Sequence, residues 1–106
     1  MRPVLNLKLE KDVKTMRAIA EETFEMVREY KGSHSGEHGD GLVRSEFHEA
    51  MFGARIVADF REVKHRFDPD NLLNPGKIVD PPKMDDRSLF RYPPDYRINE
   101  LKTVLD

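Results

Sequence analysis

The sequence predicts a mainly α chain of 106 residues: one N-terminal strand, a long helix, a glycine-rich loop, a broken second helix and an extended proline-rich tail. Three observations predict it. Apolar residues recur at helical spacing in two separate stretches. Between them, positions 32–41 hold four glycines and two serines, a composition that no stable helix tolerates. Beyond position 80 the periodicity stops and prolines come in pairs, Pro81-Pro82 and Pro93-Pro94.

Taken in order, Val4-Leu5-Asn6-Leu7-Lys8-Leu9 alternates apolar and polar residues, the pattern of a half-buried strand. A strand needs partners, and this chain offers few. Asp12 is expected to cap the following helix by accepting from its free amides. Met16, Ile19, Ala20, Thr23, Val27 and Tyr30 share one face of that helix, with Phe24 at its edge. Arg28 and Lys31 suit its negative end, and Gly32 is expected to take the left-handed stop. Ser45 opens a second helical stretch with Glu46 in its first turn, and Gly53 is expected to break it. Ile56, Phe60, Val63 and Phe67 then recur at helical spacing as a core stripe. Asp68-Pro69 ends the helix, because the residue before proline avoids helical geometry. Asn74-Pro75-Gly76 is a turn with proline preset at its second position and glycine free at its third. Residues 100–106 resemble the start of another element.

Composition excludes several classes. The hydrophobic share is 38% and the charged share 36%, lean against the roughly 45–50% apolar residues of ordinary globular domains. A domain of this length buries only about 60–65% of its unfolded surface, so the core is thin and the chain is expected to lean on neighbouring protein. A net charge of -2 without a basic run offers nothing to a nucleic acid. No apolar run is long enough to span a bilayer, and the N-terminus lacks a secretory pattern. Cysteine is absent, so this chain carries no disulfide, thiolate nucleophile or cysteine-held cluster. A cytoplasmic setting, including the inner face of the membrane, fits these features.

Candidate chemistry is concentrated in Ser33-His34-Ser35-Gly36-Glu37-His38-Gly39-Asp40-Gly41. Glycines let a backbone approach a flat cofactor closely, while glutamate and histidine offer a hard ligand and a proton acceptor. From the residues alone, a solvated turn with incidental histidines explains the segment equally well. His34-x-x-Glu37-His38 matches an inverted zinc-peptidase string, but that motif needs a helix, which Ser35, Gly36 and Gly39 prevent. The Gly-Lys-Ser/Thr of a phosphate loop is missing. Asp40 suits a turn bonding its own backbone. Arg44 suits either a substrate carboxylate or an ion pair with Glu37, Asp40 or Glu46. His48 and His65 lie on charged helical stretches and are expected to be solvated.

Gly32 to Gly41, followed by Phe67-Asp68-Pro69 and Leu72-Leu73-Asn74-Pro75-Gly76-Lys77-Ile78, resembles the C-terminal end of the FAD-linked oxidase family. These are flavoproteins of the vanillyl-alcohol-oxidase type, including D-lactate, glycolate and D-2-hydroxyglutarate dehydrogenases. The order of the motifs is more specific than any one of them. The tail, Arg91-Tyr92-Pro93-Pro94-Asp95-Tyr96-Arg97 with Glu100-Leu101-Lys102-Thr103, is similar to long members that continue into a 4Fe-4S electron-transfer region.

The resemblance implies a division into residues 1–80, the C-terminal lobe of an α+β substrate (cap) domain, and residues 81–106, a linker towards the iron–sulfur region. It implies Glu37 as a ligand to a divalent metal, zinc or iron, and His38 as the catalytic histidine facing substrate and flavin. Gly36, Gly39 and Asn74 would lie in the vicinity of the FAD, which an upstream domain holds. The family's remaining metal ligands, two histidines, precede Met1. In the family the position of His34 is usually apolar, so no ligand role transfers to it. The implied reaction oxidises a small 2-hydroxy acid: His38 takes the hydroxyl proton, hydride passes to the flavin, and the metal acidifies the hydroxyl. The partners implied are the rest of the polypeptide, the hydroxy acid and an electron acceptor that these residues do not specify. Separated from the rest, the chain is expected to be inactive and to self-associate through exposed apolar surface. The competing reading is a free-standing helical interaction module without catalysis, and the sequence upstream of Met1 distinguishes the two.

Overall fold

The computed structural model describes residues 2–94 and 96–98. Helix α1 spans Glu10–Glu29, a 3-10 turn covers Ser45–Phe47, α2 spans His48–Phe52, α3 spans Ala54–Phe67, and a second 3-10 turn covers Arg87–Leu89. The expected tail element at 100–106 lies outside the described residues. Among the described residues no strand forms. Residues 2–6 are irregular and 7–9 turn into α1, so a strand at 4–9 would need a pairing partner from elsewhere.

α1 begins two residues earlier than the expected cap at Asp12, with Leu9 as N-cap. Asp12 therefore sits inside the first turn, where its carboxylate accepts the Asn6 amide at 2.7 Å and ties the irregular segment to the helix. At the other end Lys31, not Gly32, takes the left-handed conformation (φ 56°). The Lys31 amide donates to the Arg28 carbonyl and the Gly32 amide to the Val27 carbonyl, both at 2.9 Å. That is the paired ending which satisfies the last carbonyls of a helix. Gly32 is still constrained, since a Cβ there would stand 3.3 Å from Val27 Cγ1.

Gly53 breaks the second helical stretch as expected, with φ 88° and ψ 157°, a region open essentially to glycine alone. The chain re-enters a helix at Ala54 and stops at Asp68. The Asp68 carboxylate accepts the amides of Leu72 and Leu73 at 2.9 Å each and the Lys64 ammonium. The ammonium, followed by the two amides, holds its carboxyl down at about 2. A carboxylate with a depressed folded pKa stabilises the fold above its ordinary value and loses that contribution as pH falls through the folded one. Asp68→Asn should therefore lower the denaturant midpoint at pH 6 and converge with the unmodified protein near pH 2. A difference that stays constant across that range would refute the assignment.

The core is small: Val13, Phe24, Val57 and Met84 are the buried hydrophobic side chains. An aromatic and imidazole cluster joins the elements: Phe24 of α1 against Phe47 (5.0 Å) and His34 (5.7 Å), His34 against His48 (5.5 Å), and His48 against Phe60 of α3 (6.2 Å). The expected α3 stripe is not a core here. Val57 is the buried α3 residue, whereas Val63 is 56% and Phe67 86% exposed. Tyr30 is likewise exposed. Among the described residues nothing covers these side chains. Consistent with that, the radius of gyration is 17.7 Å, against roughly 13 Å for a compact chain of about 100 residues.

The proline-rich segment folds back instead of running free. Met84 is buried, and its amide donates to Glu46 at 2.8 Å. Glu46 pairs with Arg17 of α1 (2.5 Å), which also reaches Asp85 (2.8 Å). Chiefly because Arg17 donates to it, the Glu46 carboxyl stays below the usual carboxylate range. Further along, Arg87 donates to the Lys8 carbonyl at 3.0 Å, and the Lys8 ammonium stands 5.1 Å from the centre of the Tyr92 ring. A linker reading based on proline content misses these polar anchors.

Candidate active-site loop

The segment 32–41 is pinned at its base and free at its tip. At the base, the Ser45 hydroxyl donates to the Gly41 carbonyl (2.6 Å) and accepts the Ile78 amide (3.0 Å). His48 lies one helical turn after Ser45 on the same face. Its Nδ1 stands 3.3 Å from the Ile78 carbonyl and its Nε2 2.8 Å from Asp40 Oδ2. Both backbone groups of Ile78, which closes the Asn-Pro-Gly-Lys-Ile turn, are thereby held by residues that follow the glycine-rich loop. This contact gives a structural reason for the two motifs to occur together.

His48 is buried, which corrects its sequence reading as a solvated helix residue: α2 turns it inward against His34, Phe52 and Phe60. Asp40 is corrected as well. It partners His48 instead of closing a turn with its own side chain. Hydrogen bonding from Ser35 first, and then from His48, keeps its carboxyl below the ordinary range despite partial burial. Arg44 makes none of the expected ion pairs; it donates to the Gly39 carbonyl at 3.0 Å, and its own carbonyl stands 3.1 Å from His34 Nε2.

At the tip, Glu37 and His38 project outward. Glu37 Oε1 and His38 Nε2 are 3.5 Å apart, with 88% and 73% of their side chains exposed. Gly36 is exposed and has no atom within 4 Å of where a Cβ would stand. Gly39 holds φ 77°, and Arg44 fixes its carbonyl. Thus two predicted site residues stand together on an anchored loop with open space beside them. Asn74 is separate from them in role: it turns the chain at φ 48°, and its side-chain oxygen accepts the Lys77 ammonium at 3.1 Å. A half-open groove of about 320 Å³ runs beside the loop between α1 and Phe47. The predicted α1 stripe (Met16, Ile19, Ala20, Thr23, Val27) lines it with His34.

The divalent ion implied by the resemblance fits Glu37 as one ligand of several. The carboxylate is exposed and engages only its neighbouring histidine, so it is available to an ion. One monodentate carboxylate does not make a site, however, and an ion there would need further donors.

Sequence relationships show the family. The family described as FAD linked oxidases, C-terminal domain, matches residues 1–78. The chain is 39% identical over 85 residues to a D-2-hydroxyglutarate dehydrogenase of Escherichia coli K12, which covers 80% of this chain and 8% of the relative. A D-2-hydroxyglutarate dehydrogenase of Haemophilus influenzae is 42% identical over 81 residues, covering 76% of this chain and 8% of that protein. Glycolate oxidase subunit GlcD of Escherichia coli K12 is 46% identical over 55 residues, 52% of this chain and 11% of the subunit. The chain thus spans only a small part of the length of these relatives. No solved structure matches it significantly. Residues 1–78 place the chain in the C-terminal domain family of the FAD linked oxidases.

Proposed function

We propose that this chain is the C-terminal lobe of the substrate domain of an FAD-dependent dehydrogenase for a small 2-hydroxy acid, of the D-2-hydroxyglutarate, D-lactate or glycolate type. The observation that carries the reading is the Glu37–His38 pair, 3.5 Å apart and solvent-facing on a loop anchored at Gly41. Glu37 would hold a divalent ion, zinc or iron, together with donors from preceding polypeptide. His38 would accept the 2-hydroxyl proton at an imidazole nitrogen. Bound flavin would supply the hydride acceptor, and an ion held by Glu37 would supply acidification of the hydroxyl. Gly36 and Gly39 would allow the flavin close to the backbone, and Asn74 would shape the turn on the flavin side.

The exposed side chains of Val63, Phe67, Leu72 and Leu73 would be covered by the rest of the polypeptide; in its absence the chain would self-associate and would not turn over. The continuation past residue 98 would lead towards a 4Fe-4S region, and the protein would work in the cytoplasm or at the inner face of the membrane. No helix of the described residues is long and apolar enough to cross a membrane. The test is anaerobic flavin reduction in the intact polypeptide. Bleaching on addition of D-2-hydroxyglutarate, D-lactate or glycolate is expected. An oxidised spectrum that persists with all three would reject the substrate class.

A further inference from the structure

The base of the loop holds a second donor set, separate from Glu37. His34, Asp40 and His48 each offer one ligand atom, and the three atoms lie within 4.8 Å of one another. In a tetrahedral zinc site, with bonds of about 2.0–2.2 Å, ligand atoms stand roughly 3.3–3.5 Å apart. Small side-chain rotations would bring this set to that spacing.

Three observations point to a cation here. Each histidine has one ring nitrogen beside a backbone carbonyl: His34 Nε2 at 3.1 Å from Arg44, and His48 Nδ1 at 3.3 Å from Ile78. Metal-binding histidines are oriented in this way, with the far N–H donated to a carbonyl and the near lone pair left for the ion. The remaining nitrogen of His34, Nδ1, is buried and has no hydrogen-bond partner. A buried polar atom without a partner is costly unless something fills its lone pair. His48, meanwhile, has oxygen acceptors at both ring nitrogens, Ile78 O and Asp40 Oδ2. A neutral imidazole carries one N–H, so the second contact requires either another proton or a cation in its place.

We propose that His34, Asp40 and His48 form a binding site for a borderline divalent cation of the zinc type. Two imidazoles and one carboxylate suit such an ion better than calcium or magnesium, which favour oxygen donors. The ion would cross-link the loop to α2 directly below Glu37 and His38 and so stiffen the element that presents them. The site does not depend on the proposed flavin chemistry, because none of its ligands takes part in it.

Titration of the 106-residue chain with Zn²⁺ alone, followed by calorimetry, tests the site. One ion per chain is expected, with affinity at least tenfold weaker in Asp40→Asn and in His34→Ala and unchanged in Glu37→Gln. No saturable binding, or weakening by Glu37→Gln without weakening by Asp40→Asn, would overturn the proposal; the second result places the ion on Glu37 instead. Should the variants lose helix content, imidazole ¹H–¹⁵N spectra of the unmodified chain decide. Zn²⁺ should shift the His34 and His48 ring nitrogens and leave His65 in place. A response confined to His38 would overturn the site.

Discussion

Replacing His38 by Ala in the intact polypeptide is expected to lower kcat by about 10²–10⁴-fold, the range for loss of a positioned general base. That corresponds to roughly 3–5.5 kcal/mol of transition-state stabilisation. Folding should hardly respond. The His38 side chain is 73% exposed and stands 3.5 Å from Glu37, and substitutions at such sites shift stability by about 0.5 kcal/mol or less. The contrast between the two readouts is the test. Steady-state turnover and denaturant midpoints measured on one preparation check it, and a variant within threefold of the original kcat would remove His38 from proton transfer. Rate loss accompanied by an equal loss of stability would instead mark His38 as a structural residue.

Glu37→Gln carries the second large effect. Glutamine keeps the size and one acceptor oxygen of glutamate but loses the charge that draws in a divalent ion. The variant of the intact polypeptide should lose affinity for the ion at Glu37 by more than the roughly 10–100-fold that loss of a supporting hydrogen bond costs elsewhere. Activity should fall in step and recover in part at high added metal. Because Glu37 is 88% exposed, its loss should leave helix content unchanged. Metal analysis of the desalted protein is the direct readout, supported by turnover against added Zn²⁺ or Fe²⁺. Unaltered affinity at this position with unaltered activity would show that Glu37 is not a ligand.

Local features were legible from the sequence because each depends on neighbouring residues. The α1 stripe from Met16 to Val27, the break at Gly53, the stop at Asp68 and the Asn74-Pro75-Gly76 turn all follow from spacing or from the backbone limits of glycine and proline. The family was legible in another way, through the ordered motifs around Glu37 and His38. What escaped prediction depends on distant partners. Arg17 meets Asp85 across 68 positions and Ser45 meets Ile78 across 33, and no local pattern encodes either contact. His48 was read as solvated because its immediate neighbours include Glu46 and Glu49; its burial is decided by α3 and the Ile78 turn. A signal was nonetheless present: Ser45 and His48 share a helical face, and both are polar residues on the side facing the loop. The α3 stripe shows the opposite case. Its periodicity was read correctly as an apolar face, but a face becomes a core only against a partner, and the described residues contain none for Val63 or Phe67.

Glu37 and His38 would be half of an active site completed by the rest of the polypeptide. A crystal structure of the intact protein with bound FAD and a 2-hydroxy acid, using anomalous scattering to locate metal, tests it most directly. An ion on the Glu37 carboxylate at about 2.0–2.2 Å and the substrate hydroxyl within roughly 2.6–3.2 Å of His38 are expected. Glu37 and His38 left in bulk solvent, away from both flavin and substrate, would contradict it.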